Sequence, residues 1–222
     1  MATARQAAAR SWLLRPWVKP LAFALCLLPL AWLLFAAATD RLGANPAEAL
    51  IRALGDWTLR LLCLTLAITP LRLALGQPAL ARFRRMLGLF TFFYAALHLL
   101  AYAGFDMGLD MDEMARDIGQ RPFIVVGLKA FALLLVLAAT STAAAMRWLG
   151  GRRWQLLHRS VYLAAVLALL HLWLMRAGKN DFAEVLAYGA IVAALLLARW
   201  PLRRRPPSGP GAAGASAGRS CP

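Results

Sequence analysis

Acid is scarce in this chain: ten Asp and Glu stand against 25 Lys and Arg, a formal charge of +15 over 222 residues. Not one acid precedes Asp40. Cysteine is equally sparse, and Cys26, Cys63 and Cys221 show neither CxxC nor zinc-ligand spacing. That argues against a disulfide framework, a structural zinc site and a covalently attached heme. There is no glycine-rich dinucleotide fingerprint and no P-loop, so a fused nicotinamide-nucleotide domain is not expected. The charge excess invites a nucleic-acid reading, but no basic stripe with interleaved aromatics lies on a polar domain. The arginine clusters flank apolar runs instead, and nucleic acid is not expected as a partner.

What the chain has in abundance is apolar surface. Hydrophobic residues make up 61% of it and the mean hydropathy is +0.61, where a soluble domain holds about 45–50% apolar residues. At about 20 residues per crossing, the apolar runs predict an all-α membrane helix bundle of six spans: residues 21–38, 54–75, 86–104, 122–139, 154–175 and 182–200. Residues 1–19 read as a basic N-terminal segment, 20–200 as the membrane domain, and 201–222, rich in Pro, Gly and Ala, as a disordered tail.

Some local features refine this reading. Pro29 is expected to kink the first span. Ala36, Ala37 and Ala38 resemble a small-residue cleavage site, but the preceding run is long for a signal peptide and is read as a retained span. Residues 46–54 read as a short amphipathic helix lying at the interface. Cys26 and Cys63 read as small core residues. Lys129 snorkels from the fourth span or pairs with a cofactor carboxylate. Trp57, Tyr102, Trp148, Trp154 and Trp200 stand near span ends, as interfacial aromatics do.

Charge gives the orientation. Arg82, Arg84, Arg85, Arg147, Arg152, Arg153 and Arg203–Arg205 fall on one side of the six-span layout, and all ten acids on the other. The positive-inside bias makes the arginine side, with both termini, cytoplasmic.

The three histidines all lie in apolar runs: His98 in the third span, His158 and His171 in the fifth. Imidazole in hydrocarbon is costly unless something satisfies it, so each is a functional candidate. By the helical rise, His98 lies roughly 18 Å beyond Met86 and His171 roughly 25 Å beyond Trp154, compatible with one depth in the outer half of the membrane. Two such histidines facing each other from separate helices suit the two axial positions of one heme iron. The plainer reading is a pair of interhelical hydrogen-bonding residues.

His158 lies about 20 Å shallower than His171, at a depth where the third span offers Arg84 or Arg85. It would bind a second heme only without a histidine opposite, and thirteen residues of ideal helix do not put it on the face of His171. The arginines around it are positive-inside markers or partners for heme propionates or a flavin phosphate.

The segments ITPLRL, RRMLGLFTFFYAALHLLAY, RPFIVVGLKAFALLLVLAATST and RRWQLLHRSVYLAAVLALLHLWLM together resemble the MsrQ (formerly YedZ) family of the ferric-reductase-like transmembrane superfamily, over about residues 50–200. The resemblance implies a b-type cytochrome of the bacterial inner membrane that takes electrons from the quinone pool. It implies delivery to MsrP, a periplasmic molybdopterin enzyme that reduces methionine sulfoxide in damaged proteins. It also implies bound heme b and FMN, with His98, His158 and His171 as the heme-associated histidines. Of the four-histidine superfamily pattern, the fourth place holds Arg. The alternatives are a related cytochrome serving another acceptor, and a heme-free scaffold or transporter. The acidic loop 105–120 reads as a contributor to partner docking or as a solvated surface.

Overall fold

The computed structural model describes residues 12–178 and 180–199, and all regular structure among them is helical. The N-terminal arginines Arg5 and Arg10, the belt residue Trp200, Cys221 and the tail 201–222 lie outside the described residues. Helix α1 is Val18–Ala38 and α2 is Pro46–Ala74. A 3₁₀ turn, Pro78–Leu80, leads into α3, Ala81–Ala101, which ends in a π turn, Tyr102–Asp106. The amphipathic α4, Met111–Gln120, precedes α5, Pro122–Ala139. The short helices α6, Ala143–Leu149, and α7, Gly151–His158, precede α8, Val161–Ala177, and α9, Ala183–Leu197.

Five segments are long and apolar enough to cross a membrane: α1, α2, the 3₁₀ turn with α3 and the π turn, α5, and α7 with α8. The shorter apolar α9 packs against α2 and α8 and completes the six-helix membrane bundle. Helix α2 packs most extensively on α3, and α5 on α8, so the bundle is built from two tight helix pairs joined where α3 meets α5. Ala164 and Ala165 of α8, both fully buried, let backbones approach closely where hydrocarbon gives no hydrophobic drive.

Two sequence expectations change. Residues 46–54 are the first turns of α2 and not a separate interfacial helix. The Asn45 side chain accepts from the Glu48 N–H at 3.2 Å and Pro46 occupies the first turn, a start signal from which the helix runs without a break. The fifth span is not one uniform helix. It is interrupted at Arg159–Ser160 between α7 and α8, which removes the fixed 3.6-residue phase between His158 and His171.

Trp154, near the start of the fifth candidate span, is half-buried and donates from Nε1 to the Thr140 carbonyl at 2.8 Å. Cys63 is buried as expected, and Lys129 is exposed on the outside of α5.

Pro29 lies within α1, as the sequence indicates, and Tyr94 of α3 closes the gap there. The fully buried Tyr94 hydroxyl accepts from the Leu30 N–H at 3.1 Å and donates to the Cys26 carbonyl at 2.8 Å. Away from water, backbone groups near an intrahelical proline need such a partner. Tyr94→Phe is therefore expected to weaken docking of α1 by about 1 kcal/mol, read as resistance to denaturation in mixed detergent micelles. An unchanged midpoint would mean that Leu30 and Cys26 satisfy each other along the helix.

Candidate functional site

His98 projects from the last turn of α3 toward α2, where its Nδ1 lies 2.8 Å from the Ile51 carbonyl oxygen. His171 projects from α8 toward α5, where its Nδ1 lies 2.7 Å from the Phe123 carbonyl oxygen. A carbonyl only accepts, so each Nδ1 carries the proton and each Nε2 keeps its lone pair. The arrangement repeats in both helix pairs, and a glycine stands one turn beyond each accepting carbonyl.

A Cβ on Gly55 would lie 3.2 Å from the His98 Cε1, and a Cβ on Gly127 would lie 2.8 Å from the His171 Nδ1. Each imidazole thus fits into a slot opened by a missing side chain. The sequence reading missed Gly55 and Gly127. The signal available was a single glycine inside each apolar helical run, where it costs about 1 kcal/mol relative to alanine and needs a packing reason.

The two slots bring the rings together. Their centroids are 6.3 Å apart and their planes cross at 81°. An imidazole–metal bond is about 2 Å. An ion held linearly between two Nε2 atoms separates them by about 4 Å, and the ring radii extend the centroid spacing to about 6.3 Å. Spacing and tautomer therefore both fit His98 and His171 as the residues that would hold a heme iron, with the Nδ1–carbonyl bonds fixing ring orientation. No cluster of three or more His, Cys, Asp or Glu suited to a metal occurs among the described residues, so a bare-ion site with a richer ligand set is not formed there.

His158 is elsewhere. Its Nε2 lies 3.3 Å from the Thr140 hydroxyl, at the C-terminal end of α5, whereas His171 bonds Phe123 at the N-terminal end. These two α5 positions are about 25 Å apart along the helix. The Thr140 hydroxyl donates to the Val136 carbonyl at 2.6 Å, so the His158 Nε2 is the donor of the longer bond. The Trp154 ring stacks on the imidazole with centroids 4.0 Å apart. Unlike the other two, this histidine has its Nε2 engaged.

His158 lines a cavity of about 560 Å³ that also takes in Arg84, Arg85, Arg159 and Arg199. Arg84 and Arg85, which the sequence places at the depth of His158, thus share its cavity. The guanidinium of Arg199 bonds the Tyr162 hydroxyl and the Leu66 carbonyl and lies 5.0 Å over the Tyr162 ring. Trp154, Ser141, Thr65 and Thr69 add flat and hydroxyl-bearing walls. Four arginines and aromatic faces suit a planar ligand with an anionic group.

At the opposite end, the π turn that follows His98 carries a second polar group. The Tyr102 hydroxyl donates to Asp117 at 2.7 Å, and the Arg121 Nε lies 2.9 Å from the same carboxylate, tying α3 to α4 and the start of α5. Arg176, one turn beyond His171, pairs with Glu184 and, at 3.6 Å, with Asp181.

Comparison with known proteins adds independent support for the fold and its kinship. The family described as ferric reductase like transmembrane component matches residues 54–169. The chain is 64% identical to a protein of Polaromonas naphthalenivorans named protein-methionine-sulfoxide reductase heme-binding subunit MsrQ, with 84% of this chain and 85% of that one covered. It is 55% identical to the protein of that name from Bordetella parapertussis, covering 84% and 92%. It is 48% identical to that from Caulobacter vibrioides, covering 81% and 85%.

Proposed function

From a chain that belongs to the MsrQ heme-binding subunits, within the ferric-reductase-like transmembrane components, we infer a b-type cytochrome that carries electrons from the quinone pool to a periplasmic molybdopterin methionine sulfoxide reductase, MsrP. The observation that carries this reading is the His98–His171 pair, with centroids 6.3 Å apart and each Nδ1 held by a backbone carbonyl. A heme held by them would supply one-electron transfer. The chain's own residues hold the two rings close together with their planes nearly perpendicular, leave both Nε2 lone pairs free and enclose the rings between two helix pairs.

The pair lies toward the acid-rich end of the bundle, beside the π turn and α4. In our reading that end faces the periplasm and meets the partner, and both termini face the cytoplasm in a bacterial inner membrane. Electrons arrive at the other end. We assign quinol oxidation and FMN to the arginine-lined cavity, where guanidinium groups would bind a phosphate and Trp154 would face a flat ring. His158 belongs to that cavity. To ligate a second iron through Nε2 it would have to release Thr140, so a hydrogen-bonding role toward the cavity's ligand fits it better.

The test uses sealed membrane vesicles with the acid-rich face outward. After reduction by a quinol, adding MsrP and methionine sulfoxide outside should return the heme spectrum to its oxidised form. His171→Ala should break the coupling at an unchanged amount of protein in the membrane. A heme that stays reduced with MsrP, yet reoxidises rapidly with ferric chelates, would assign the protein to a different acceptor. Reoxidation only by MsrP added inside would invert the orientation.

A further inference from the structure

Three of the seven methionines fall within residues 107–114, in the sequence MGLDMDEM. Their burial differs sharply. Met107 is 8% exposed and Met114 half-buried, while Met111, the first residue of α4, is 67% exposed. Gly108 and Leu109 both have positive φ, 57° and 63°, and turn the chain so that α4 starts on the surface. The Asp110 side chain caps it, accepting from Asp112 and Glu113 N–H groups at 2.9 and 3.0 Å. Exposed carboxylates therefore flank Met111 in sequence on both sides, and carboxylates do not enter hydrocarbon. The thioether is exposed at the acid-rich end, four residues after Met107 and five after the π turn that follows His98.

We infer that Met111 is itself an oxidation site that this reductase system repairs. The inference rests on the partner and orientation given above. A two-electron oxidant such as hypochlorous acid transfers its oxygen to the sulfur, leaving the sulfoxide, chloride and a proton. Return to the thioether takes two electrons and two protons and releases the oxygen as water. The electrons come from quinol through this subunit to the partner reductase, whose substrate group is a protein-bound methionine sulfoxide. Because Met111 packs against little, gaining an oxygen leaves the core intact. The same change at the buried Met107 would disturb packing.

Met146 provides an internal control. It is 44% exposed, but it lies on α6 after the C-terminal end of α5, whereas α4 leads into the N-terminal end. A partner restricted to the acid-rich end reaches Met111 and not Met146.

The experiment treats sealed vesicles, acid-rich face outward, with dilute hypochlorite. After quenching, MsrP is added outside with quinol and free methionine sulfoxide, and the gain of about 16 Da per oxidised methionine is followed on the 107–114 and 143–149 peptides. The Met111 sulfoxide is expected to fall at least fivefold while that of Met146 persists. Met111→Leu should abolish the gain assigned to position 111 with the heme spectrum retained. A Met111 sulfoxide that persists, or that declines no faster than that of Met146, while free methionine sulfoxide is consumed overturns the inference and leaves the partner reading standing. If free methionine sulfoxide is not reduced either, the partner reading falls and the inference with it.

Discussion

His98→Ala and His171→Ala are each expected to abolish the low-spin, six-coordinate heme signal, and His158→Ala to leave most of it. Under the proposed function, removing either ring of this pair, whose centroids are 6.3 Å apart, takes away one of the two nitrogens proposed to hold the iron, and no other histidine can replace it. His158 is held against Thr140 and Trp154 at the other end of α5, too far for a side chain to bridge. Absorption and paramagnetic resonance spectra of purified variants, normalised to protein, decide the matter. Free imidazole gives a second readout: in His171→Ala the slot beside Gly127 remains open, so added imidazole should restore six-coordination. Loss of the signal in His158→Ala but not in His171→Ala would transfer the axial role and remove the proposed outer site.

Much of this arrangement was legible in the sequence, and the reason is chemical. Hydrocarbon tolerates few imidazoles, so three histidines confined to apolar runs stand out without any structure. Helical rise then sorts them by depth, because rise depends on count alone. Pro122 and the apolar run after it gave the bounds of α5, and the run from residue 21 gave most of α1.

Rotation about the helix axis was less legible. The interruption at Arg159–Ser160 leaves no proline or glycine at the break itself, so a continuous fifth span was the natural reading, with His158 and His171 out of phase. In the same way, the polar start of α2 looked like an interfacial helix, because Glu48, Arg52 and Asp56 interrupt its apolar pattern. The Glu48–Arg52 ion pair, one turn apart, satisfies two of these charges along the helix. Backbone carbonyls carry no sequence signal at all. Ile51 and Phe123 act through main-chain oxygen, and only their companion glycines reveal where each imidazole fits.

Those glycines lead to the sharpest expectation. Gly127→Ala should eliminate the six-coordinate signal almost as completely as loss of His171. The added Cβ would lie 2.8 Å from Nδ1 and 2.9 Å from Cε1 of His171, closer than nonbonded atoms settle. The ring cannot retreat without giving up the 2.7 Å bond to the Phe123 carbonyl, and a turned imidazole no longer aims Nε2 at its counterpart. Gly55→Ala is the graded comparison. There the contacts are 3.2 and 3.3 Å, so His98 can shift by a few tenths of an ångström at an off-rotamer cost of about 1 kcal/mol, and the signal should weaken without vanishing. A purely structural defect would lower both protein yield and heme in proportion. A positioning defect leaves yield and changes the spectrum, with Gly127→Ala keeping bound heme in a five-coordinate state. If Gly127→Ala retains a normal six-coordinate spectrum, or if Gly55→Ala proves the more damaging, the slots do not aim the imidazoles, and the repeated carbonyl-and-glycine arrangement serves helix packing alone.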